Sequence, residues 1–74
     1  MKFKDKLQYL RKEKKYSLEE LADLANISDT SVFYYECGKR IPHKNTVIQL
    51  AKALDVDPDV LMNDDISIES RKVN

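Results

Sequence analysis

The sequence predicts an all-α fold of five helices in one small domain, from its composition and from the spacing of its apolar residues. The 74 residues include one glycine and two prolines, whereas leucine, alanine, glutamate and lysine are plentiful, which favours helices over strands. Apolar residues recur at helical spacing, and residues that start or stop helices separate these segments. The predicted helices span residues 3–15, 17–25, 28–37, 44–54 and 58–62.

The first helix is predicted from an amphipathic pattern of about three turns. Its buried stripe consists of Phe3, Leu7, Leu10 and Lys14, of which only the lysine is polar. Basic residues fill most of the other positions. We therefore expect Lys2, Lys4 and Lys6 to lie in solvent and to contribute long-range electrostatic attraction.

The second and third helices are predicted from capping residues on either side of a tight turn. Ser17 and Glu20 have the spacing of a capping box, in which each side chain accepts from the backbone amide of the other. Asn26 tolerates the left-handed conformation that the turn requires. Ser28 is expected to cap the third helix, and Gly38 to end it. The inward-facing residues of the third helix are predicted to be Val32 and Tyr35.

The fourth helix follows a basic connector, and its apolar stripe is Val47, Leu50, Ala51 and Leu54. Asp57 and Pro58 signal the start of the fifth helix, because aspartate caps a helix and proline suits its first position. Residues 1–62 are assigned to one domain. Residues 63–74 are polar with weak periodicity and are predicted to be a mobile C-terminal tail.

Although the formal net charge is zero, the basic and acidic residues cluster in separate segments of the chain. Residues 1–16 carry seven basic and two acidic side chains, residues 17–37 carry five acidic and no basic ones, and residues 38–44 carry three basic ones. The single cysteine excludes an internal disulfide, and neither a secretory leader nor a membrane-spanning segment is predicted. The expected location is the cytoplasm.

The residue pattern gives no support for catalytic or metal-binding chemistry. It contains no catalytic triad, carboxylate pair or phosphate-binding glycine loop. Cys37 has no cluster of other ligands near it in sequence, and the acids from Asp55 to Asp65 lack the glycine and glutamate of a calcium loop. The sequence predicts that the protein is not an enzyme and that it holds neither a cofactor nor a metal.

Several stretches together resemble the Cro and phage-repressor (Xre-type) helix-turn-helix family. These stretches are SLEELA (17–22), ANIS (25–28), ECGKR (36–40) and LAKAL (50–54), and the resemblance covers most of the chain. It implies a five-helix, lambda-repressor-like DNA-binding domain with a helix-turn-helix. The third helix of such a domain lies in the major groove of double-stranded DNA.

The resemblance also implies roles for individual residues. The residues that match base-contacting positions are Asp29, Thr30, Phe33 and Tyr34. The residues that match contacts to the DNA backbone are Ser17, Ser28, Lys39, Arg40 and Lys44. Arg11 and Glu36 match an ion pair that joins the first helix to the third and fixes the recognition helix on its scaffold.

The predicted recognition face has no base-reading arginine or lysine. Asp29 can accept a hydrogen bond from cytosine N4, although its charge also repels phosphate. Thr30 and Phe33 can contact a thymine methyl group, and the Tyr34 hydroxyl can donate or accept. This helix is therefore suited to thymine and cytosine faces.

These features predict a sequence-specific DNA-binding transcriptional regulator that acts as a repressor. One recognition helix reads only a few base pairs, so two copies about 34 Å apart are expected to read a palindromic operator as a homodimer. The predicted dimer surface lies around the fifth helix and consists of Pro58, Val60, Leu61 and Met62, of which Leu61 is expected to belong to the core.

The alternative is a protein-interaction module on the same fold, which binds another regulatory protein instead of DNA. The helix-turn-helix face is apolar and acidic, which suits a protein partner better than a phosphate backbone. The residues that favour this alternative are Leu18, Leu24, Asp29, Phe33 and Tyr34.

Overall fold

The computed structural model describes residues 1–63 and 65, and these form five α-helices and no strand. The helices are α1 (Phe3–Glu13), α2 (Leu18–Ala25), α3 (Asp29–Cys37), α4 (Lys44–Leu54) and α5 (Pro58–Met62). The predicted all-α, five-helix fold is confirmed. No described helix is long and apolar enough to cross a membrane. Most of the predicted tail, residues 64 and 66–74, lies outside the described residues.

Local capping explains where three of the helices begin. The Ser17 hydroxyl oxygen accepts from the Glu20 N–H at 3.0 Å, and the Glu20 carboxylate accepts from the Ser17 N–H at 2.8 Å, which completes the predicted capping box. Ser28 and Asp57 cap α3 and α5 in a similar way, each accepting from a backbone amide of the first turn. These starts are therefore set by residues only two or three positions apart.

Left-handed residues follow four of the helices. Asn26, Gly38 and Asp55 end α2, α3 and α4 with φ of 61°, 78° and 60°, and Lys15 follows α1 with φ of 62°. A Cβ at Gly38 would also lie 2.8 Å from Cδ of Lys4, but this flexible and exposed side chain can move aside. Glycine is therefore favoured here by the left-handed end of α3.

One apolar core holds the five helices together. α2 packs against α3 and α4, while α1 packs against α3 and α5. The helix α3 contributes two buried side chains, and its remaining positions are exposed or only partly covered. The core residues are Leu7, Leu10, Leu21, Ala22, Ala25, Val32, Tyr35, Val47, Leu50, Ala51, Leu54 and Leu61.

The first helix differs from its prediction in length and in its buried face. α1 ends at Glu13, two residues before the predicted end, and Lys15 then takes a positive φ. Lys14 is predicted on the buried stripe but is exposed, whereas Lys6 is predicted in solvent but is 0% exposed. Lys6 lies three residues after Phe3 and four before Leu10, so it belongs to the same helical face as the apolar residues.

The buried Lys6 ties α1 to the end of α5. Its ammonium nitrogen Nζ donates to the backbone carbonyl oxygens of Val60 and Asn63, both at 2.7 Å. Carbonyls at the C-terminal end of a helix have no partner within the helix, and the helix dipole favours a cation there. Lys6 therefore supplies hydrogen bonds that the short helix α5 cannot make for itself.

The predicted dimer surface around α5 is only partly accessible. Val60 and Leu61 are 3% and 0% exposed, because this face of α5 packs inside the same chain. Their assignment to a surface that meets a second copy is therefore wrong for the folded domain. Met62 is exposed and Pro58 is partly exposed.

Replacing Lys6 by methionine should destabilise the fold, since methionine preserves the length of the side chain but leaves two carbonyls without their donor. We expect the free energy of unfolding to fall by about 1–3 kcal/mol. Urea denaturation followed by circular dichroism measures this change. Lys12→Met, at an exposed position of the same helix, is the matched control and should change the stability little. Equal stabilities of the two variants would contradict the structural role of Lys6.

Candidate nucleic-acid interface

The helices α2 and α3 form a helix-turn-helix around a compact turn. Asn26 takes the left-handed conformation, with φ of 61° and ψ of 43°, and Ile27 N–H donates to the Ala22 carbonyl at 2.9 Å. Ser28 then returns to an extended conformation and starts α3. Asn26 reverses the chain direction here without a glycine, because asparagine tolerates a positive φ.

The helix α3 is divided lengthwise into a buried and an accessible side. Val32 is 0% exposed and Tyr35 is 7% exposed, which anchors α3 in the core as the sequence predicts. Asp29 and Thr30 are exposed at its start, and Phe33 is 47% exposed in its middle. Polar and aromatic groups on this side are thus available to an external partner.

The two aromatic residues of α3 and one arginine form a connected surface. The ring centroids of Phe33 and Tyr34 are 5.9 Å apart, with the rings tilted by 48°. The Cζ atom of Arg40 lies 5.2 Å from the centroid of the Tyr34 ring, within the range of a cation–π interaction. Arg40, although it lies in the connector after α3, is therefore held against α3.

A shallow depression of about 420 Å³ joins the starts of α2 and α3. It brings together one residue predicted to contact the DNA backbone and three predicted to contact bases. The residues around it are Ser17, Leu18, Glu19, Asp29, Thr30 and Phe33. The carboxylates among them make this part of the surface acidic.

The residues predicted to contact the DNA backbone fall into two chemical groups. Ser17 and Ser28 are exposed, but both hydroxyl oxygens already accept from backbone amides, so capping accounts for their positions. Lys39, Arg40 and Lys44 are exposed and lie in or beside the connector between α3 and α4. This connector is the basic edge beside the accessible side of α3.

A largely buried ion pair fixes α3 on α1. Arg11 Nε donates to Glu36 Oε2 at 2.6 Å and Arg11 Nη2 donates to Glu36 Oε1 at 3.1 Å, which gives the pair its bidentate geometry. The two side chains are only 12% and 6% exposed. Arg11 Nη1 also donates to the Tyr16 carbonyl at 2.8 Å. The predicted pair is thus present, and it also holds the segment between α1 and α2.

One feature of this surface is missed by the sequence analysis. The stacking of Arg40 on Tyr34 joins residues six positions apart across the end of a helix, and no periodic pattern indicates it. Leu24, which the sequence analysis places on the apolar face, is 55% exposed on α2. Within the described residues, no group of three histidine, cysteine, aspartate or glutamate side chains is placed to bind a metal ion.

Comparison with known proteins identifies relatives of this domain. The helix-turn-helix family model matches residues 7–61. The uncharacterized HTH-type transcriptional regulator YqaE of Bacillus subtilis (strain 168) is 35% identical over 60 residues, which cover 81% of this chain and 52% of YqaE. The chain therefore spans about half the length of this curated relative.

Two solved structures share both the fold and part of the sequence. The restriction-modification controller protein C.AhdI of Aeromonas hydrophila has a TM-score of 0.78 and 36% identity, covering 80% of this chain and 89% of that chain. The N-terminal DNA binding domain of SinR from Bacillus subtilis has a TM-score of 0.80 and 26% identity, covering 88% and 96%. The DNA-binding domain of the P22 C2 repressor also shares the fold, with a TM-score of 0.83 at 24% identity over 90% of this chain and 88% of that chain, which confirms the predicted repressor-like fold.

Breaking the ion pair between Arg11 and Glu36 should destabilise the domain. When one partner is removed, the charge of the other stays largely buried without a counter-ion and with little access to water. We expect Arg11→Met to lower the free energy of unfolding by about 3 kcal/mol. In a double-mutant cycle with Glu36→Leu, the coupling energy should be about 2 kcal/mol. The exposed pair Lys4–Asp5, at 3.5 Å, is the control and should couple by less than about 1 kcal/mol. Equal coupling in the two cycles would contradict the proposed anchoring.

Proposed function

Because the chain belongs to the helix-turn-helix family, we propose that it is a sequence-specific DNA-binding transcriptional regulator. The family and the fold are those of helix-turn-helix transcriptional regulators, which are not enzymes. In this proposal the protein acts as a repressor, and a homodimer binds a palindromic operator. The helix α3 of each copy enters the major groove, and promoter occlusion is the means of control.

The accessible side of α3 is the observation that most directly supports this function. Asp29, Thr30 and Phe33 are exposed on a helix that is anchored from behind by the core and by Glu36. A recognition helix needs this combination, because hydrogen bonds to base edges tolerate little movement of the side chains that make them. Asp29 suits cytosine N4, and the methyl and ring carbons of Thr30 and Phe33 suit thymine.

The basic edge beside α3 supports contacts with the DNA backbone. Lys39, Arg40 and Lys44 are exposed, and Arg40 is held on Tyr34, so a phosphate contact here adjoins a base contact. Since the chain as a whole is neutral, the decrease in affinity with salt should be shallower than for a strongly basic repressor. Direct contacts then supply a larger share of the affinity.

The names of the related proteins support a regulatory role. YqaE is named as an HTH-type transcriptional regulator, C.AhdI as a restriction-modification controller, and the SinR domain as a DNA binding domain. The fold of this chain is thus shared by a restriction-modification controller and by a DNA binding domain. In the proposal, this chain uses the scaffold in the same way.

A protein-interaction module remains the second candidate, because exposed apolar residues lie on the helix-turn-helix. Leu24 and Phe33 are 55% and 47% exposed, and α2 has acidic residues but no basic ones. Such a surface suits a partner protein with complementary apolar and basic groups. DNA binding and this alternative give opposite results in a selection experiment.

Selection of bound duplexes from a random pool at two salt concentrations is the experiment that tests the proposed function. We expect enrichment of one inverted repeat whose half-sites are one helical turn apart, as two copies of α3 related by a twofold axis require. The enriched sequence should persist at the higher salt while non-specific binding declines. Failure to enrich any sequence would favour the protein-interaction module.

Two substitutions should distinguish the proposed base contacts from the proposed phosphate contacts. Arg40→Ala should weaken binding to all sequences similarly and reduce the slope of affinity against salt by about 1. Tyr34→Phe keeps the ring on which Arg40 stacks but removes the hydroxyl, so it should relax preference at one position by about 1 kcal/mol. Binding titrations against the selected site and its single-base variants measure both effects. Lys52→Ala, an exposed substitution in the last turn of α4, is the control, and a loss as large as that of Arg40→Ala would refute the assignment.

A further inference from the structure

A groove of about 660 Å³ lies between the start of α1, the connector after α3, and α5. Its apolar lining consists of Phe3, Ile41, Pro42, Val47, Leu61 and Met62, together with the ring of Tyr35. Ile41 is 88% exposed and Met62 is 41% exposed, so both residues present apolar surface to solvent beside the groove. An occupant that covers these two residues would remove apolar surface from water.

Basic side chains surround this apolar floor. Lys2, Lys4, Arg40 and Lys44 lie around the groove. Among the residues that the structure describes, no carboxylate lies within 4 Å of the charged nitrogens of Arg40 or Lys44. The groove therefore suits an occupant that combines apolar side chains with negative charge.

The chain itself continues with such a segment directly after the groove. Residues 64–69 read DDISIE, with two isoleucines two positions apart, three acidic residues and no basic one. In an extended segment, side chains two positions apart point to the same side, so Ile66 and Ile68 can enter an apolar groove together.

The position at which the described chain ends brings this segment to the groove. Met62 lines the groove, and the carbonyl of the next residue, Asn63, is held by Lys6 at 2.7 Å. The Asp65 N–H donates to the Asn63 side chain at 2.9 Å, which turns the chain immediately after α5. Four extended residues span about 13 Å, so the stretch after Asp65 can carry Ile66 and Ile68 along the groove from the turn beside Met62.

We propose that residues 64–69 of the same chain dock in this groove, with Ile66 and Ile68 against Ile41 and Met62 and the acidic residues beside the basic rim. Two of the basic residues, Arg40 and Lys44, are also proposed to contact phosphates. A docked acidic segment therefore competes with the DNA backbone for them, and DNA binding displaces it. This consequence rests on the proposed function, whereas the docking itself does not.

Nuclear magnetic resonance on the full chain tests the docking without DNA. Nuclear Overhauser effects should connect the methyl groups of Ile66 and Ile68 with those of Ile41 and Met62. The double variant Ile66→Ser/Ile68→Ser should shift the Ile41 and Met62 methyl signals. Val73→Ser, in the same tail but outside the docking segment, is the matched control and should leave them unchanged.

Two results would overturn the docking of the segment in its own chain. The first is the absence of these Overhauser effects, together with unchanged methyl signals in the double variant. The second is their appearance only between differently labelled copies in a mixed sample, which would assign the groove to the tail of a second copy.

The affinity for the selected operator tests the competition. If the docked state holds about nine-tenths of the molecules, the double variant should bind about tenfold more tightly than the native chain, and Val73→Ser should not. Overhauser effects without this gain in affinity would refute the competition. Overhauser effects in a chain for which no operator can be selected would refute the proposed function while the docking stands.

Discussion

The ion pair between Arg11 and Glu36 is the interaction that ties α3 to the rest of the fold. The helix α3 has nine residues, of which Val32 and Tyr35 lie in the core, and the ion pair adds a polar anchor on the side that faces α1. The bidentate contact adds two fixed points of hydrogen bonding, and the third bond of Arg11, to the Tyr16 carbonyl, fixes the start of the segment leading to α2. One arginine thus couples α1, α3 and the chain that enters the helix-turn-helix.

The helix α1 carries a second buried cation with a comparable role at the other side of the fold. Lys6 holds the end of α5 through two carbonyls, and Arg11 holds α3 through a carboxylate. The helices α3 and α5, which pack against α1, are therefore held to it by polar bonds as well as by leucines. As buried hydrogen bonds have strict geometry, these bonds favour one arrangement of short helices over other compact arrangements.

The distribution of charge matters more to the proposed function than its sum. Acidic side chains lie on α2 and at the start of α3, while the connector after α3 is basic, so the chain is neutral but strongly polarised. An incoming duplex would be attracted to the connector and to the exposed lysines of α1 and repelled by the acidic residues of α2, which restricts its orientation. The same basic connector borders the apolar groove, so one surface serves both the proposed DNA contact and the proposed docking of residues 64–69.

The sequence by itself determined the helices, their caps and the side of α3 that faces outward. These features depend on residues within about four positions of one another, as with Ser17 and Glu20 or Val32 and Tyr35, and a linear pattern records such neighbours. The Arg11–Glu36 pair was available only through the resemblance to a family. The tertiary structure alone decided that Lys6 is buried, that Val60 is a core residue, and that Arg40 rests on Tyr34. Each of these features depends on which helix or connector packs over the residue, and that is decided by contacts between segments that are distant in the sequence.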